Sequence, residues 1–225
     1  MKKFLWLFVS ILTLGLTLPN QVNAEVVVEN FKETVEDEIK TMEELEKQYP
    51  DEYKEAGYGE YVDVLKKADF SNYQESDEKI NVYVFRGSTC GYCLKAIAYF
   101  TSILPEYGQY FNLKTYEVWA NSDNSELLEN VAATLGDKVQ GVPYIVIGKK
   151  SWSGYAASYD DEMMKQIKSE YNKDKSKRYD VIKAVNGEAT GEKSSIAGDV
   201  ISVVIIIAVI GLITFGIISA RKKTN

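Results

Sequence analysis

Residues 80–93 read INVYVFRGSTCGYC, and this stretch decides the fold. Its first six residues are β-branched or aromatic apart from one asparagine, which predicts a strand over residues 80–85. Both faces of that strand carry apolar or bulky side chains, as expected for a strand inside a sheet. A short connection then leads to Cys90 and Cys93. The cysteines are therefore predicted to lie where a buried strand ends.

Cys90 and Cys93 are the only cysteines among the 225 residues. A disulfide between residues so close in sequence removes little entropy from the unfolded chain, so it adds little stability. The pair therefore indicates reversible redox chemistry more than architecture. Two alternatives are a structural disulfide and a metal site. The second is weaker, because the chain has no histidine and two thiolates leave a tetrahedral zinc site half empty.

A helix is predicted to follow the pair, because apolar residues recur at steps of three and four between residues 93 and 104. We expect Pro105 to end or kink it. A helix N-terminus carries partial positive charge and unpaired N–H groups, which stabilise a thiolate. We therefore predict Cys90 as the exposed attacking sulfur. Cys93, one turn into the helix, is predicted to resolve the mixed disulfide by attacking Cys90.

The two residues between the cysteines also have predicted roles. Gly91 lets the backbone turn tightly, and Tyr92 offers an exposed aromatic surface to a substrate beside the sulfur. Disulfide exchange needs no histidine, and we predict neither a metal nor an organic cofactor.

A strand and a helix are predicted next. The strand covers residues 113–119, and the helix begins with a capping box formed by Asp123 and Glu126. Gly136 is suited to end this helix, because glycine readily adopts the left-handed conformation found after helix C-termini.

The last predicted elements are a hairpin and a helix. The hairpin strands cover residues 141–148 and 151–155, and the helix starts with a capping box of Ser158 and Asp161 and runs to Tyr171. The order β-α-β-α-β-β-α predicts an α/β fold, a mixed four-stranded sheet flanked by helices.

The strand–CGYC–helix unit, this order of elements and the later Gly141-Val142-Pro143 resemble the thioredoxin superfamily over residues 79–175. The resemblance implies a thioredoxin fold and dithiol–disulfide exchange at the cysteine pair. It also implies that Pro143 is cis and lies against the cysteines as part of the catalytic site. Val142 would then offer backbone groups to an extended substrate peptide, as in strand addition. From the residues alone, a trans turn proline is the alternative.

Three positions depart from thioredoxins proper. Those proteins carry an aromatic residue where this chain has Thr89, and a buried acid where it has Val84. Between the cysteines, Tyr92 replaces their proline. The proton-transfer role of the buried acid is therefore not carried over. The Gly-Tyr dipeptide is similar to that of extracytoplasmic disulfide isomerases, and an aromatic residue there is also similar to glutaredoxins.

Residues 25–78 are acidic and predicted to be helical. Apolar residues recur at helical spacing between residues 31 and 49, Pro50 interrupts them, and a second series covers residues 61–68. This helical extension either packs on the main domain or on a partner, or it is a solvated spacer. The sequence leaves these alternatives open.

The N-terminus is predicted to be a secretory signal peptide over residues 1–24. Lys2 and Lys3 precede an apolar run, and small residues at 22–24 provide a cleavage site. An uncleaved anchor is the alternative.

The C-terminus is predicted to hold a membrane anchor. Residues 200–220 carry no charge and are long enough to cross a bilayer as a helix, the alternative being a buried core helix. The cationic residues 221–225 are predicted to be a cytoplasmic tail by the positive-inside rule. Residues 176–199 are polar and predicted to tether the domain, which places the cysteines outside the cytoplasm.

The formal net charge of −7, without a basic stripe, argues against nucleic acid as a partner. We therefore predict a bacterial, single-pass, extracytoplasmic thiol–disulfide oxidoreductase. Its expected partners are the membrane, cysteine-containing secreted or surface polypeptides and a separate redox protein that recycles the pair. Oxidant, reductant and isomerase share one arrangement of residues, so the direction is open. The alternative is a non-catalytic interaction protein, a holdase or a bacteriocin export or maturation factor, with a structural Cys90–Cys93 disulfide.

Overall fold

The computed structural model describes residues 26–188 and residue 190. Its helices are α1 (Phe31–Gln48), α2 (Pro50–Glu55), α3 (Tyr58–Lys66), α4 (Gly91–Tyr107), α5 (Ser122–Leu135), α6 (Asp160–Tyr171) and α7 (Val181–Val185). Its strands are β1 (Glu29–Asn30), β2 (Ile80–Arg86), β3 (Phe111–Glu117), β4 (Tyr144–Ile147) and β5 (Lys150–Ser153).

The strands form one mixed sheet in the order β1-β3-β2-β4-β5. β2 and β3 are parallel and joined through α4, whereas β4 and β5 form an antiparallel hairpin on the other side of β2. Val82 lies opposite Leu113 on β3 and Ile147 on β4. The predicted α/β class and mixed sheet are confirmed, and the arrangement is compatible with a thioredoxin-like fold.

The sheet has five strands instead of the predicted four. The additional strand, β1, comes from the N-terminal extension and pairs antiparallel with β3 at Thr115 and Lys114. Two residues are too short to show an alternating pattern, so the sequence carries no signal for β1. Asn30 ends the strand and caps α1 through a capping box with Glu33.

Apolar side chains cover both faces of the sheet. Val82 and Val84 point into one core, which α1, α3, α4 and α6 cover. Tyr83 and Phe85 point to the opposite face, which α5 and α7 cover. β2 is therefore a central strand buried on both faces, as its sequence predicts.

The N-terminal extension is part of the larger core. Phe31, Met42 and Leu65 are almost completely buried there. Burying a side chain of this size contributes about 1.5–3 kcal/mol, compared with about 0–1 kcal/mol for an exposed ion pair. Apolar packing therefore holds the extension on the domain, and the solvated-spacer alternative is wrong.

Both predicted capping boxes were placed incorrectly. α5 begins at Ser122, and its cap is Asn121, whose side chain accepts from the backbone N–H groups of Asp123 and Asn124. α6 follows a 3₁₀ turn over Ala157–Tyr159 and has no side-chain cap. The cap of α5 lies two residues before the predicted Asp123, and α6 begins at Asp160, inside the predicted box, so spacing alone did not place either boundary.

Two helix ends and the hairpin turn test other predictions. Gly136 ends α5 with a φ of 77°, as predicted. Pro105 lies inside α4, which continues to Tyr107 instead of ending at the proline. A proline so near the helix end removes a single hydrogen bond of the last turns. The predicted strand bounds leave Lys149 and Lys150 for the hairpin turn. Lys150 belongs to β5, and the turn is formed by Lys149 and Gly148, whose φ is 62°.

The first part of the predicted tether is folded. α7 lies within residues 176–199 and buries Val181 against the core that α5 covers. The Asp180 carboxylate caps α7 and also accepts hydrogen bonds from Tyr83 and Asn81. The polar composition of this segment gave no indication that it packs on the domain. The folded domain therefore extends at least to Val185.

The structure does not describe the predicted signal peptide, membrane anchor or cytoplasmic tail. Residues 1–24, 200–220 and 221–225 lie outside the described residues. Within residues 26–188 and 190, none of the helices combines the length and apolar character that a membrane span needs.

Candidate active site

Cys90 and Cys93 form a disulfide at the start of α4, with their Cα atoms 5.1 Å apart. Cys90 is 8% exposed and Cys93 is fully buried. The predicted exposed sulfur is thus nearly covered in the oxidised state, but it remains the more accessible of the two. Within the pair, solvent therefore has access to Cys90 and not to Cys93.

The backbone at the start of α4 is arranged to hold negative charge on Cys90. Cys90 is the N-cap of this helix, and its Sγ accepts a hydrogen bond of 3.2 Å from the Cys93 N–H. The partial positive charge of a helix N-terminus adds to this hydrogen bond. Both interactions favour the Cys90 thiolate once the disulfide is reduced.

Val142 and Pro143 lie beside the cysteine pair, although they are more than 50 residues away in sequence. The Val142–Pro143 peptide bond is cis, as the resemblance implies. The carbonyl oxygen of Val142 is 3.7 Å from Cys90 Sγ, a van der Waals contact in the disulfide, which has no proton to donate. Pro143 is buried and Val142 is half-buried, so Val142 is the residue of this pair that combines contact with Cys90 and access to solvent.

One exposed aromatic side chain lies between the two cysteines, and a second lies beside the loop that precedes them. Tyr92 is 61% exposed and Trp119, which follows β3, is 58% exposed. The indole of Trp119 lies directly on the backbone of Gly87, where a Cβ would overlap the ring. The Gly87 carbonyl in turn accepts from the Cys90 N–H at 3.2 Å. Trp119 is therefore linked to Cys90 through the backbone of Gly87.

Glu117 fixes the position of this tryptophan. Its carboxylate accepts from the backbone N–H groups of Ser88 (3.2 Å), Trp119 (3.0 Å) and Ala120 (2.8 Å). One side chain thus binds the loop before the cysteines to the loop after β3. Neither Glu117 nor Trp119 was predicted from the sequence as part of the site. Since parallel strands end at the same edge of a sheet, the position of Trp119 at the end of the second predicted strand was the available signal.

A tyrosine of the N-terminal extension also reaches the cysteine loop. The hydroxyl end of Tyr58, at the start of α3, lies against Gly91, where a Cβ would be 2.7 Å from Tyr58 Cε1. The Tyr58 ring packs edge-on against the buried Tyr53, with ring centroids 5.7 Å apart. Gly91 thus permits the approach of α3 in addition to the tight turn predicted for it.

Arg86, the last residue of β2, is fully buried among carboxylates of the extension. Its guanidinium lies 2.6 Å from Glu29, 2.6 Å from Asp37 and 3.0 Å from Glu38. Burial raises the pKa of Glu38 to about 8, and the negative charges of Asp37 and Glu29 add to this effect. The Arg86 guanidinium lowers the pKa, but by less. The hydrogen bonds from Arg86 join β1 and α1 to the end of β2.

The chemistry that this site offers is that of its two sulfur atoms. Within residues 26–188 and 190, no three cysteine, aspartate or glutamate side chains are grouped to hold a metal ion. What the structure brings together is a disulfide at a helix N-terminus, the backbone of Val142 and three aromatic side chains.

Comparison with known proteins gives no further assignment. A scan against protein-family models, a search of curated proteins and a search of solved structures each returned no match for this chain.

Proposed function

We propose that this protein is a thiol–disulfide oxidoreductase of the thioredoxin superfamily that acts on cysteines of secreted or surface polypeptides. One observation carries the proposal: the Cys90–Cys93 disulfide lies at the N-terminus of α4, directly against the backbone of Val142. This placement supplies thiolate stabilisation, an adjacent resolving cysteine and a backbone for the client in one place.

In the reducing direction, the Cys90 thiolate attacks one sulfur of a client disulfide. That S–S bond breaks, and the other client sulfur leaves as a thiolate and takes a proton from water. Cys93 loses its proton to water and attacks Cys90 Sγ, which releases the second client thiolate. The client gains two electrons and the Cys90–Cys93 pair loses two. The reverse sequence oxidises a client dithiol.

A purely structural disulfide is a weaker explanation. For so short a loop the entropic stabilisation is about 2 kcal/mol or less. The two cores that cover the faces of the sheet already bury many large side chains, each contributing as much. The stability that this disulfide adds is therefore small beside that of the two cores, and stability alone does not explain the pair.

The proposal places the pair outside the cytoplasm, on a protein anchored at its C-terminus. An extracytoplasmic compartment permits the disulfide form to persist. The predicted signal peptide and membrane anchor support this location, and fractionation of cells that express the full chain tests it.

Trapping of clients tests the enzymatic function. In Cys93→Ser the resolving sulfur is absent, so mixed disulfides on Cys90 are expected to accumulate as reducible adducts on non-reducing gels. The matched control is Cys90→Ser, which retains the fully buried Cys93 and is expected to form few adducts. Absence of adducts on Cys93→Ser, together with no exchange between the purified protein and a disulfide-bonded peptide, would contradict the proposal.

If the protein is instead a non-catalytic interaction protein, the opposite result is expected for a double variant. Cys90→Ser with Cys93→Ser removes all sulfur chemistry but leaves the aromatic surface of Tyr92 and Trp119. If the double variant supports client maturation in cells as well as the wild type does, the oxidoreductase proposal fails and the interaction function is favoured.

A further inference from the structure

The N-terminal extension reaches the reactive cysteines through α3. Tyr58, the first residue of α3, contacts Gly91 between the two cysteines. The contact depends on the absence of a side chain at Gly91, because a Cβ there would overlap the phenol. The buried Tyr53 holds the Tyr58 ring in this orientation.

The Tyr58 hydroxyl is available to a ligand. It has no hydrogen-bond partner within the part of the chain that the structure describes. Tyr83 provides the contrast, since its buried hydroxyl lies 2.9 Å from both oxygens of the Asp180 carboxylate. Tyr58 is half-buried with its hydroxyl end at the reactive loop, so a donor is offered where a client must approach.

The covalent chemistry limits where the client can lie. A mixed disulfide brings the Cα atoms of its two cysteines to about 4.4–6.8 Å from each other. Consecutive Cα atoms are about 3.8 Å apart, so the client residues beside the reacting cysteine must contact whatever surrounds Cys90. These surroundings include the backbone of Val142 and also Gly91, against which the Tyr58 hydroxyl lies.

We propose that Tyr58 is a specificity-determining residue whose hydroxyl donates a hydrogen bond to a backbone carbonyl of the client polypeptide, next to the cysteine that reacts with Cys90. This inference rests on the proposed function. The extension thus contributes to the recognition of polypeptide clients, whereas a small disulfide without a flanking backbone gains nothing from Tyr58.

The test compares two substrates on the reduced full-length protein. One is a self-quenched fluorescent peptide with a single internal disulfide, and the other is bis(hydroxyethyl) disulfide. Starting from the reduced form makes the measurement independent of the physiological direction. The quantity of interest is the ratio of the two second-order rate constants, because a general loss of thiol reactivity lowers both constants and leaves their ratio unchanged.

Tyr58→Phe removes only the hydroxyl and is expected to lower the ratio about fivefold, the effect of one hydrogen bond. Tyr58→Leu also removes the ring contact and is expected to lower the ratio further. The matched control is Tyr61→Phe, which removes a hydroxyl one turn along the same helix from a ring that contacts Lys95. This control is expected to keep the wild-type ratio.

The outcomes separate the inference from the function on which it rests. If the wild type reacts with neither disulfide, the proposed oxidoreductase function fails. If it reacts with both and Tyr58→Phe keeps the wild-type ratio, or Tyr61→Phe lowers the ratio equally, the role of Tyr58 is overturned. A lowered ratio in Tyr58→Phe with an unchanged thermal unfolding temperature supports it.

Discussion

The two ends of β2 differ in how completely their polar side chains are hydrogen-bonded. At the N-terminal end, Asn81 bonds to Asn112 on β3 and to Asp180 before α7, and Asp180 also accepts from Tyr83. At the C-terminal end, Glu38 Oε2 and Arg86 Nε are buried without a hydrogen-bond partner among the described residues. The aromatic side chains that are more than half exposed also lie near this second end.

Under the proposed function, the N-terminal end of β2 stabilises the fold through its hydrogen bonds, and the C-terminal end holds the reactive pair. A buried polar group that has all its partners stabilises one arrangement of the chain, whereas unpaired groups cost free energy that the fold must recover elsewhere. Natural proteins accept such costs mainly at functional sites. Two of the three buried side-chain atoms that lack a partner among the described residues lie at the C-terminal end of β2, where the cysteine pair is found. The third, Glu170 Oε2, lies on α6 near Gly148.

The largest expected effect is on exchange, at the C-terminal end. Cys90→Ser removes the attacking sulfur and is expected to lower the rate of exchange with a disulfide-bonded peptide by about a thousandfold or more. Stability should fall by only about 2 kcal/mol or less, since the lost loop is short. Rates and urea unfolding of the same preparation provide the measurement. A variant that retains more than a tenth of the wild-type rate would show that Cys90 is not the nucleophile.

The next effect concerns the buried carboxylates near Arg86. Glu38 has a folded-state pKa of about 8, raised from 4.5 chiefly by burial, whereas in the unfolded chain it ionises near 4.5. Between these values the folded protein holds the additional proton, so raising the pH favours unfolding. We expect the free energy of unfolding to decrease by about 2–4 kcal/mol from pH 5 to pH 8.

Two variants on α1 test the source of this pH dependence. Glu38→Gln preserves the neutral shape and should flatten the pH profile. Glu36→Gln, an exposed position on the same helix, should leave the profile unchanged. If the wild-type profile is flat, or if both variants retain its slope, Glu38 is not the group that titrates.

The sequence predicted the elements whose signals are local. β2, α4 and the hairpin follow from strand and helix patterns within single segments, and the Gly141-Val142-Pro143 motif indicated the segment that lies against the cysteines. These signals need no knowledge of distant partners. The α/β class and the mixed sheet could therefore be stated before any coordinates.

The residues that sequence reasoning missed act through distant contacts. β1 is too short for a pattern, and a charged residue at a strand end is ordinarily solvated, so nothing local marks Arg86 as buried. Tyr58 is one of 16 tyrosines, and only its approach to Gly91 distinguishes it. Such contacts arise when the extension packs, a tertiary event without a periodic signature.

A smaller effect is expected from the polar network at the N-terminal end of β2. Asp180→Ala removes the cap of α7 and leaves Tyr83 and Asn81 without their carboxylate partner. A loss of about 2–3 kcal/mol is expected in urea unfolding, from one lost cap and one unsatisfied buried hydroxyl. Peptide exchange by the folded variant should equal that of the wild type. A selective loss of exchange at unchanged stability would contradict the division between the two ends.

The smallest effect is expected at Trp119, where the two loops at the C-terminal end of β2 meet. Trp119→Ala removes an exposed aromatic surface beside Cys90 but keeps the Glu117 hydrogen bonds to the backbone. We expect peptide exchange to slow about threefold relative to bis(hydroxyethyl) disulfide, since one aromatic contact contributes on the order of 1 kcal/mol. Tyr49→Ala removes another exposed aromatic ring, between α1 and α2, and should leave the relative rate unchanged. Equal effects of both variants would show that the exposed rings act through general surface properties and not through contact with the client.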